Sequence, residues 1–313
     1  MIDYVIYGKI IIDSIKLLSG EIINNQLGGG GPQGAFGARV WDDSVGLVTR
    51  IGDYFPQSVQ NKLDGIKVDL DGVQKYIGLP TLQSSMFYDE NDYVNFASEE
   101  RQAIFAQFRS NLSKLLANDI QLAPEYTNPK VMHLITEYVD ENMMIQALEM
   151  KKKGSILSFE PLVDVHQWTN KEEIISFMPN VDCISPDWPT ACGFSGETDP
   201  LHVMKWWIKR GATCITLRDG RRGSYGWDAI NDKIYHIPII EVPRIDPTGC
   251  GNSYAGGTAV GWEKYKDVKM AAAMGTVSAT FMIQVPGIAF WEDKMRMQAN
   301  IYLEQLLDSI QEL

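Results

Sequence analysis

This sequence predicts an α/β fold with a mostly parallel central sheet covered by helices on both faces. Three observations carry the prediction. From residue 131 onward, strand-like and helix-like segments alternate through four βα repeats. A long glycine-dense turn, Asp246 to Gly257, joins an extended segment to a helical one. No linker, low-complexity tract or solenoid repeat divides the chain, so residues 1–313 read as one domain.

The elements follow in order. Tyr4–Tyr7 reads as a buried strand ended by Gly8, and Ile10–Ile12 continues the apolar run up to Asp13. Gly28–Gly31 is a run that no helix or strand interior tolerates, so it marks a turn where the backbone approaches something closely. Ala35, Ala38 and Val40 suggest a helix, Val45–Val48 a strand and Gly52–Tyr54 a loop. Residues 66–100 are less regular. There Ile66–Leu70 alternates like a half-exposed strand and Lys75–Gly78 offers another. With parts of 14–27, this zone reads as an accessory β lid, in which Tyr76, Phe87, Tyr88 and Tyr93 are either lid aromatics or packing. Glu99–Ala117 is a helix. The βα rhythm then runs Val131–Ile135, Glu141–Lys153, Ser155–Phe159, Lys171–Met178, Val181–Ser185, Pro200–Arg210 and Ala212–Leu217.

Composition narrows the function. Hydrophobic residues make up 45% and charged residues 22%, which suits a globular chain with a sizeable core. A net charge of -12 argues against nucleic acid or an anionic membrane as partner, because bulk repulsion opposes both. An anionic small ligand stays open, since converging backbone N–H groups override the global field locally. The cysteines, Cys183, Cys192, Cys214 and Cys250, form no C-x-x-C pair, against a zinc site. Neither a secretory leader nor an apolar run of about 18 residues is visible, so a cytoplasmic setting is expected.

The chemistry concentrates in Asp246-Pro247-Thr248-Gly249-Cys250-Gly251-Asn252-Ser253-Tyr254-Ala255-Gly256-Gly257. Small residues there let backbone N–H groups converge on a ligand, and the helix that follows adds partial positive charge. The plain alternative is a structural turn. Length, glycine density and the strand–turn–helix context favour a phosphate cradle.

At these residues the chain resembles the pfkB, or ribokinase-like, carbohydrate kinase family, whose signature looks like D-T-x-G-A-G-D-x-F-x-G-G. The likeness extends over nearly the whole chain. Gly8–Asp13 matches the first strand, whose closing Asp binds sugar hydroxyls in the family. Gly28–Gly31 with Gly34, Ala35, Gly37, Ala38 and Arg39 matches the N-terminal glycine signature, and Ile51–Phe55 the element after it. Leu217–Ser224 looks like the stretch that contacts nucleotide, and Ala271–Gly287 like the helix bordering the adenine pocket. The resemblance implies a three-layer α/β/α sandwich with a small β lid, ATP and Mg²⁺ as cofactors, and a sugar- or nucleoside-type substrate. It leaves a homodimer open. It implies substrate-binding roles for Asp13, Gly29, Gly30 and Gln33, and nucleotide-binding roles for Asp187, Arg218, Gly220, Gly223 and Thr248. It places Gly249, Cys250, Gly251, Asn252 and Asp246 at the catalytic loop.

The chain departs from the family at two places. Asn252 stands where the family carries its Asp base, and an amide does not take up a proton near neutral pH. The N-x-x-E element that holds Mg²⁺ in the family, largely through water, falls at Ser185–Thr190, where Asp187 and Thr190 replace its polar ends. Asp187 is the one metal candidate left. Three readings stay open: a kinase with altered chemistry, whose base is Asp246 or Asp187 or whose loose transition state needs little base help, a repurposed enzyme acting on a nucleoside or sugar phosphate, and a nucleotide-binding pseudokinase working through partners.

Other residues carry weaker signals. Asp246 reads as a loop-orienting or cation-adjacent carboxylate before it reads as a base. Cys250 fills the place of a small Ala, with a nucleophilic thiol as the alternative. His133, His166 and Glu160 fall at expected strand ends beside the cleft. His202 and His236 look peripheral, the Trp206-Trp207 pair reads as packing, and Lys151–Lys153 as a solvated helix end.

Overall fold

A computed structural model describes residues 1–17, 19–86, 99–136, 142–162 and 170–313, with backbone alone over 99–105. Expectations placed on Phe87, Tyr88, Tyr93, Glu141 and His166 lie outside the described residues. The first half contains β1 (Tyr4–Gly8), β2 (Ile11–Lys16), β3 (Ile22–Gly28), α1 (Gly31–Arg39), β4 (Val45–Ile51), α2 (Gln57–Gly65), β5 (Val73–Lys75), β6 (Leu82–Met86) and α3 (Glu99–Leu116). The second half contains β7 (Val131–Thr136), α4 (Asn142–Lys152), β8 (Ile156–Pro161), α5 (Lys171–Phe177), β9 (Cys183–Ile184), α6 (Trp188–Ser195), α7 (Pro200–Ile208) and β10 (Cys214–Arg218). It closes with β11 (Ser224–Asp228), β12 (Lys233–Ile237), α8 (Cys250–Tyr265), α9 (Val268–Met282), α10 (Lys294–Leu307) and β13 (Gln311–Glu312).

Ten strands form one sheet in the order β13-β12-β11-β10-β9-β8-β7-β1-β4-β5. Strands β5 through β10 of that order run parallel, and β10 to β13 pair antiparallel. Alternate side chains of β1 feed opposite cores: Tyr4 and Ile6 join one apolar cluster, Val5 and Tyr7 the other. That is the pattern of a strand buried on both faces. One face is covered by α1, α8, α9 and α10, the other by α4 to α7. The expected sandwich is therefore observed. Trp207 is fully buried, with its ring centroid 5.2 Å from that of Trp206 and 5.4 Å from that of Phe194. The tryptophan pair is packing.

The lid is a separate three-stranded sheet ordered β3-β2-β6. Its strands fall at 11–28 and 82–86, and two strands read at 66–78 are corrected. Residues 66–70 form a loop bridged to the main sheet between Gly46 and Asp69. The strand expected at 75–78 overlaps β5 only at Lys75, and β5 pairs with β4 of the main sheet. The apolar alternation at 66–70 reflects packing of Val68 and Leu70 against the core and is not a ladder.

Two glycine faces place the site. A Cβ on Gly256 would fall 2.1 Å from the carbonyl oxygen of Gly34, and one on Gly37 would fall 2.0 Å from that of Ser253. Only glycine allows α1 and α8 to touch backbone to backbone. Their N-termini consequently end side by side at the C-terminal edge of β1, β7 and β8.

Candidate active site

The loop 246–252 is tied down from within. Asp246 is fully buried. Its Oδ1 accepts from the Thr248 amide at 2.9 Å and the Thr248 hydroxyl at 2.6 Å, and its Oδ2 accepts from the Gly287 amide at 2.7 Å. These three bonds fix the turn that leads into Gly249, whose φ of 76° lies in the left-handed region. Asp246 is thus the loop-orienting carboxylate. The alternative in which it serves as base does not fit, because both oxygens are engaged within the loop framework. Thr248, expected at the nucleotide, is buried and uses its hydroxyl on Asp246.

From Gly249 the chain enters α8, so the amides of Gly249, Cys250, Gly251 and Asn252 belong to the first turn, where no intrahelical acceptor exists. Cys250 is partly buried, with its sulfur 4.0 Å from the Asp246 carbonyl oxygen. Space-filling explains that contact.

Asn252 is not alone. Its Nδ2 donates to Glu160 Oε1 at 3.0 Å. Arg218 Nη2 reaches the same Oε1 at 2.8 Å, and Arg218 Nη1 donates to the carbonyl of Gly251. Glu160 ends β8 and Arg218 ends β10, so the parallel sheet delivers both to one edge. Both are nearly buried, with side-chain exposures of 3% and 10%. A Cβ on Gly30 would lie 3.3 Å from Asn252 Nδ2, which joins the N-terminal glycine turn to the same point. Glu160 Oε2 has no hydrogen-bond partner among the described residues.

A cleft of about 370 Å³ opens from this cluster. Glu160, Asp187, Arg218, Gly220, Gly223 and Gly249–Asn252 line its polar end. Thr276, Ala279, Thr280 and Ile283 of the α9 region, with Ile239, Ile240 and Val242, form an apolar wall. Met86 of the lid closes part of it. The wall on α9 is an i, i+3, i+4, i+7 stripe that the sequence already displays. The hairpin β11–β12 and the long-range cluster of Glu160, Arg218 and Asn252 carried no local signal.

Other expected site residues fall as follows. Asp13 is buried on β2 against Gly28, where a Cβ would fall 1.8 Å from Asp13 Oδ2. Gly29 and Gly30 take φ of 104° and 84° in the turn before α1. Gln33 is a correction: it is buried, accepts from the Gly30 amide at 2.9 Å and donates to the Leu27 carbonyl at 3.2 Å. It braces the turn internally in place of facing a ligand. Asp187 caps α6, its Oδ1 accepting from the Thr190 amide at 2.9 Å, and the residue also lines the cleft. Among the described residues no group of three or more His, Cys, Asp or Glu side chains is placed to hold a metal. The described residues therefore do not form a protein cage for Mg²⁺.

His133 sits within β7, fully buried, with Nδ1 2.9 Å from Ser158 Oγ. Burial, helped by the nearby Arg218 charge, pushes its pKa down to about 3, so it is neutral and structural. His236 bonds the Arg222 carbonyl at 2.7 Å, and His202 lies on the exposed face of α7.

Comparison with known proteins agrees with this geometry. The family described as pfkB family carbohydrate kinase matches residues 1–294. Cytidine kinase of Thermococcus kodakarensis is 25% identical over 276 residues, covering 88% of this chain and 94% of that protein. The nucleoside kinase structure of Methanocaldococcus jannaschii superposes with a TM-score of 0.68 at 18% identity, covering 97% of this chain and 99% of that one. A putative ribokinase II from E. coli, solved with ATP and Mg²⁺, superposes with a TM-score of 0.68 at 15% identity, covering 97% and 100%. The two structural likenesses are likenesses of fold. Taken with a match that spans nearly the whole chain, they close the question of descent: the chain belongs to the pfkB family of carbohydrate kinases.

Proposed function

We propose that the chain is a kinase that transfers the terminal phosphoryl group of ATP to a hydroxyl of a nucleoside-type substrate. The observation that carries this reading is one continuous cleft. It runs from a strip on α9 suited to a planar base, past Arg218, to the open amides at the start of α8. Such amides hold a transferring phosphoryl, and phosphoryl transfer needs positioning and charge stabilisation more than covalent chemistry. The acceptor end is the Gly28–Gly30 turn with Asp13 and the lid, which meets the phosphate end at Asn252. Nucleoside substrates are favoured over free sugars because the relatives include a cytidine kinase similar over 88% of this chain and a nucleoside kinase similar over 53% of it.

One observation favours a second reading, nucleotide binding without turnover: Asn252 stands at the base position and donates its amide hydrogen to Glu160. The test is incubation with ATP, Mg²⁺ and a panel of nucleosides and sugars, followed by ³¹P NMR. The expected result is ADP formed in step with one phosphorylated nucleoside. ATP binding without ADP from any acceptor contradicts the kinase reading and supports the second.

A further inference from the structure

Asn252 cannot take a proton, Asp246 is fully engaged, and Asp187 caps a helix. The cleft nevertheless holds one more buried carboxylate beside the position of the missing base. Glu160 is 2% exposed and lines the cleft at the foot of the phosphate loop. Two donors, Asn252 Nδ2 at 3.0 Å and Arg218 Nη2 at 2.8 Å, converge on Oε1 alone. Arg218 is itself held by the Gly251 carbonyl. The carboxylate is therefore fixed by one oxygen, while Oε2 is shielded from bulk water and has no partner among the described residues. A buried acceptor without a donor is costly, about 1–3 kcal/mol, and such a group marks a place where a ligand completes the bonding. The same arrangement accounts for the asparagine. A carboxylate at 252 would stand about one hydrogen bond from Glu160, and two adjacent carboxylates resist joint ionisation. An amide there supplies a donor and leaves a single charged acceptor.

We propose that Glu160 takes the proton of the substrate hydroxyl, a role the resemblance assigns to residue 252, while Asn252 and Arg218 hold its carboxylate in position. This inference rests on the kinase reading above. In the step, the hydroxyl oxygen bonds to the terminal phosphorus of ATP and the bond from that phosphorus to the bridging oxygen breaks. ADP leaves with the electron pair, and the hydroxyl proton passes to Glu160 Oε2. The proton is returned to water when the product departs.

The test uses the full chain and the nucleoside that wild type phosphorylates best. Single-turnover transfer and ATP affinity by calorimetry are measured for wild type, Glu160→Gln, Glu160→Asp and the double variant E160Q/N252D. E160Q should slow transfer about 10²–10⁴-fold, with ATP affinity within about threefold of wild type. Glu160→Asp keeps the charge opposite Arg218 and should retain at least about tenfold more activity than E160Q. The double variant should regain about tenfold or more over E160Q, because an acceptor returns one hydrogen bond away. The proposal is overturned if E160Q transfers within about threefold of wild type. It is equally overturned if all three variants lose rate only in proportion to ATP affinity. A wild-type protein that binds ATP and phosphorylates nothing removes the kinase reading itself, and that result is visible before any variant is made.

Discussion

Asp246 and Glu160 are both buried carboxylates flanking the same phosphate loop, yet the surrounding structure treats them in opposite ways. Asp246 receives three hydrogen bonds from the Thr248 and Gly287 backbone amides and the Thr248 hydroxyl. Glu160 receives two, both on one oxygen, and its other oxygen is buried without a hydrogen-bond partner among the described residues. The first is a staple for the turn; the second is poised for chemistry. A carboxylate's function therefore follows from which of its lone pairs the protein leaves unanswered, and position in a motif does not decide it.

The comparison predicts different outcomes for two isosteric substitutions. Glu160→Gln should lower kcat of the folded protein by about 10²–10⁴-fold, and it also costs stability because the buried Arg218 loses its counter-charge. Asp246→Asn should leave kcat of the folded protein close to wild type. Its new amide would face the Gly287 N–H, donor against donor, and cost about 1–3 kcal/mol in denaturant melts. Equal effects of the two on kcat would erase the distinction.

Removing the partner sharpens it further. Arg218→Ala strands Glu160 as a buried charge, and should cost about 3–5 kcal/mol of stability together with most of the activity. His133, which also lies near Arg218, gives the fold an acid sensitivity. Burial holds the folded-state pKa of that imidazole down to about 3, against an ordinary 6.5. Because the folded value is depressed, the unfolded chain binds the extra proton first. Stability is thus full above about pH 6.5 and falls as pH drops from there toward 3, by up to about 1.4 kcal/mol per unit. Denaturant melts at pH 7 and pH 5 should show that loss in wild type. The His133 contribution should be absent in His133→Gln, provided the variant still bonds Ser158.

Much of this was legible in the sequence. The parallel half was readable because its strands are short apolar runs closed by glycine and followed by amphipathic helices. The loop 246–257 was readable because its glycines sit at fixed offsets, and Gly256 and Gly257 proved to serve close helix contact. The lid itself was legible, but the strand read at 66–70 was not one, because that alternation comes from Ile66, Val68 and Leu70 packing into a core and not from a ladder. Gln33 was misread because a polar residue in a turn looks the same whether it faces a ligand or braces the backbone, and the same ambiguity hid the helix-capping bond of Asp187. Glu160 was visible only as a cleft-edge candidate. Its link to Asn252 spans 92 residues and to Arg218 crosses the intervening strand β9, a relation that exists only after the sheet forms.

The most direct measurement is a crystal structure of the full chain with a non-hydrolysable ATP analogue. The account predicts the terminal phosphate within hydrogen-bond distance of the Gly251 and Asn252 amides, the base against Thr276 and Thr280, and Arg218 beside the phosphates. An analogue bound elsewhere, with Arg218 still closed on the Gly251 carbonyl and the loop empty, would contradict it.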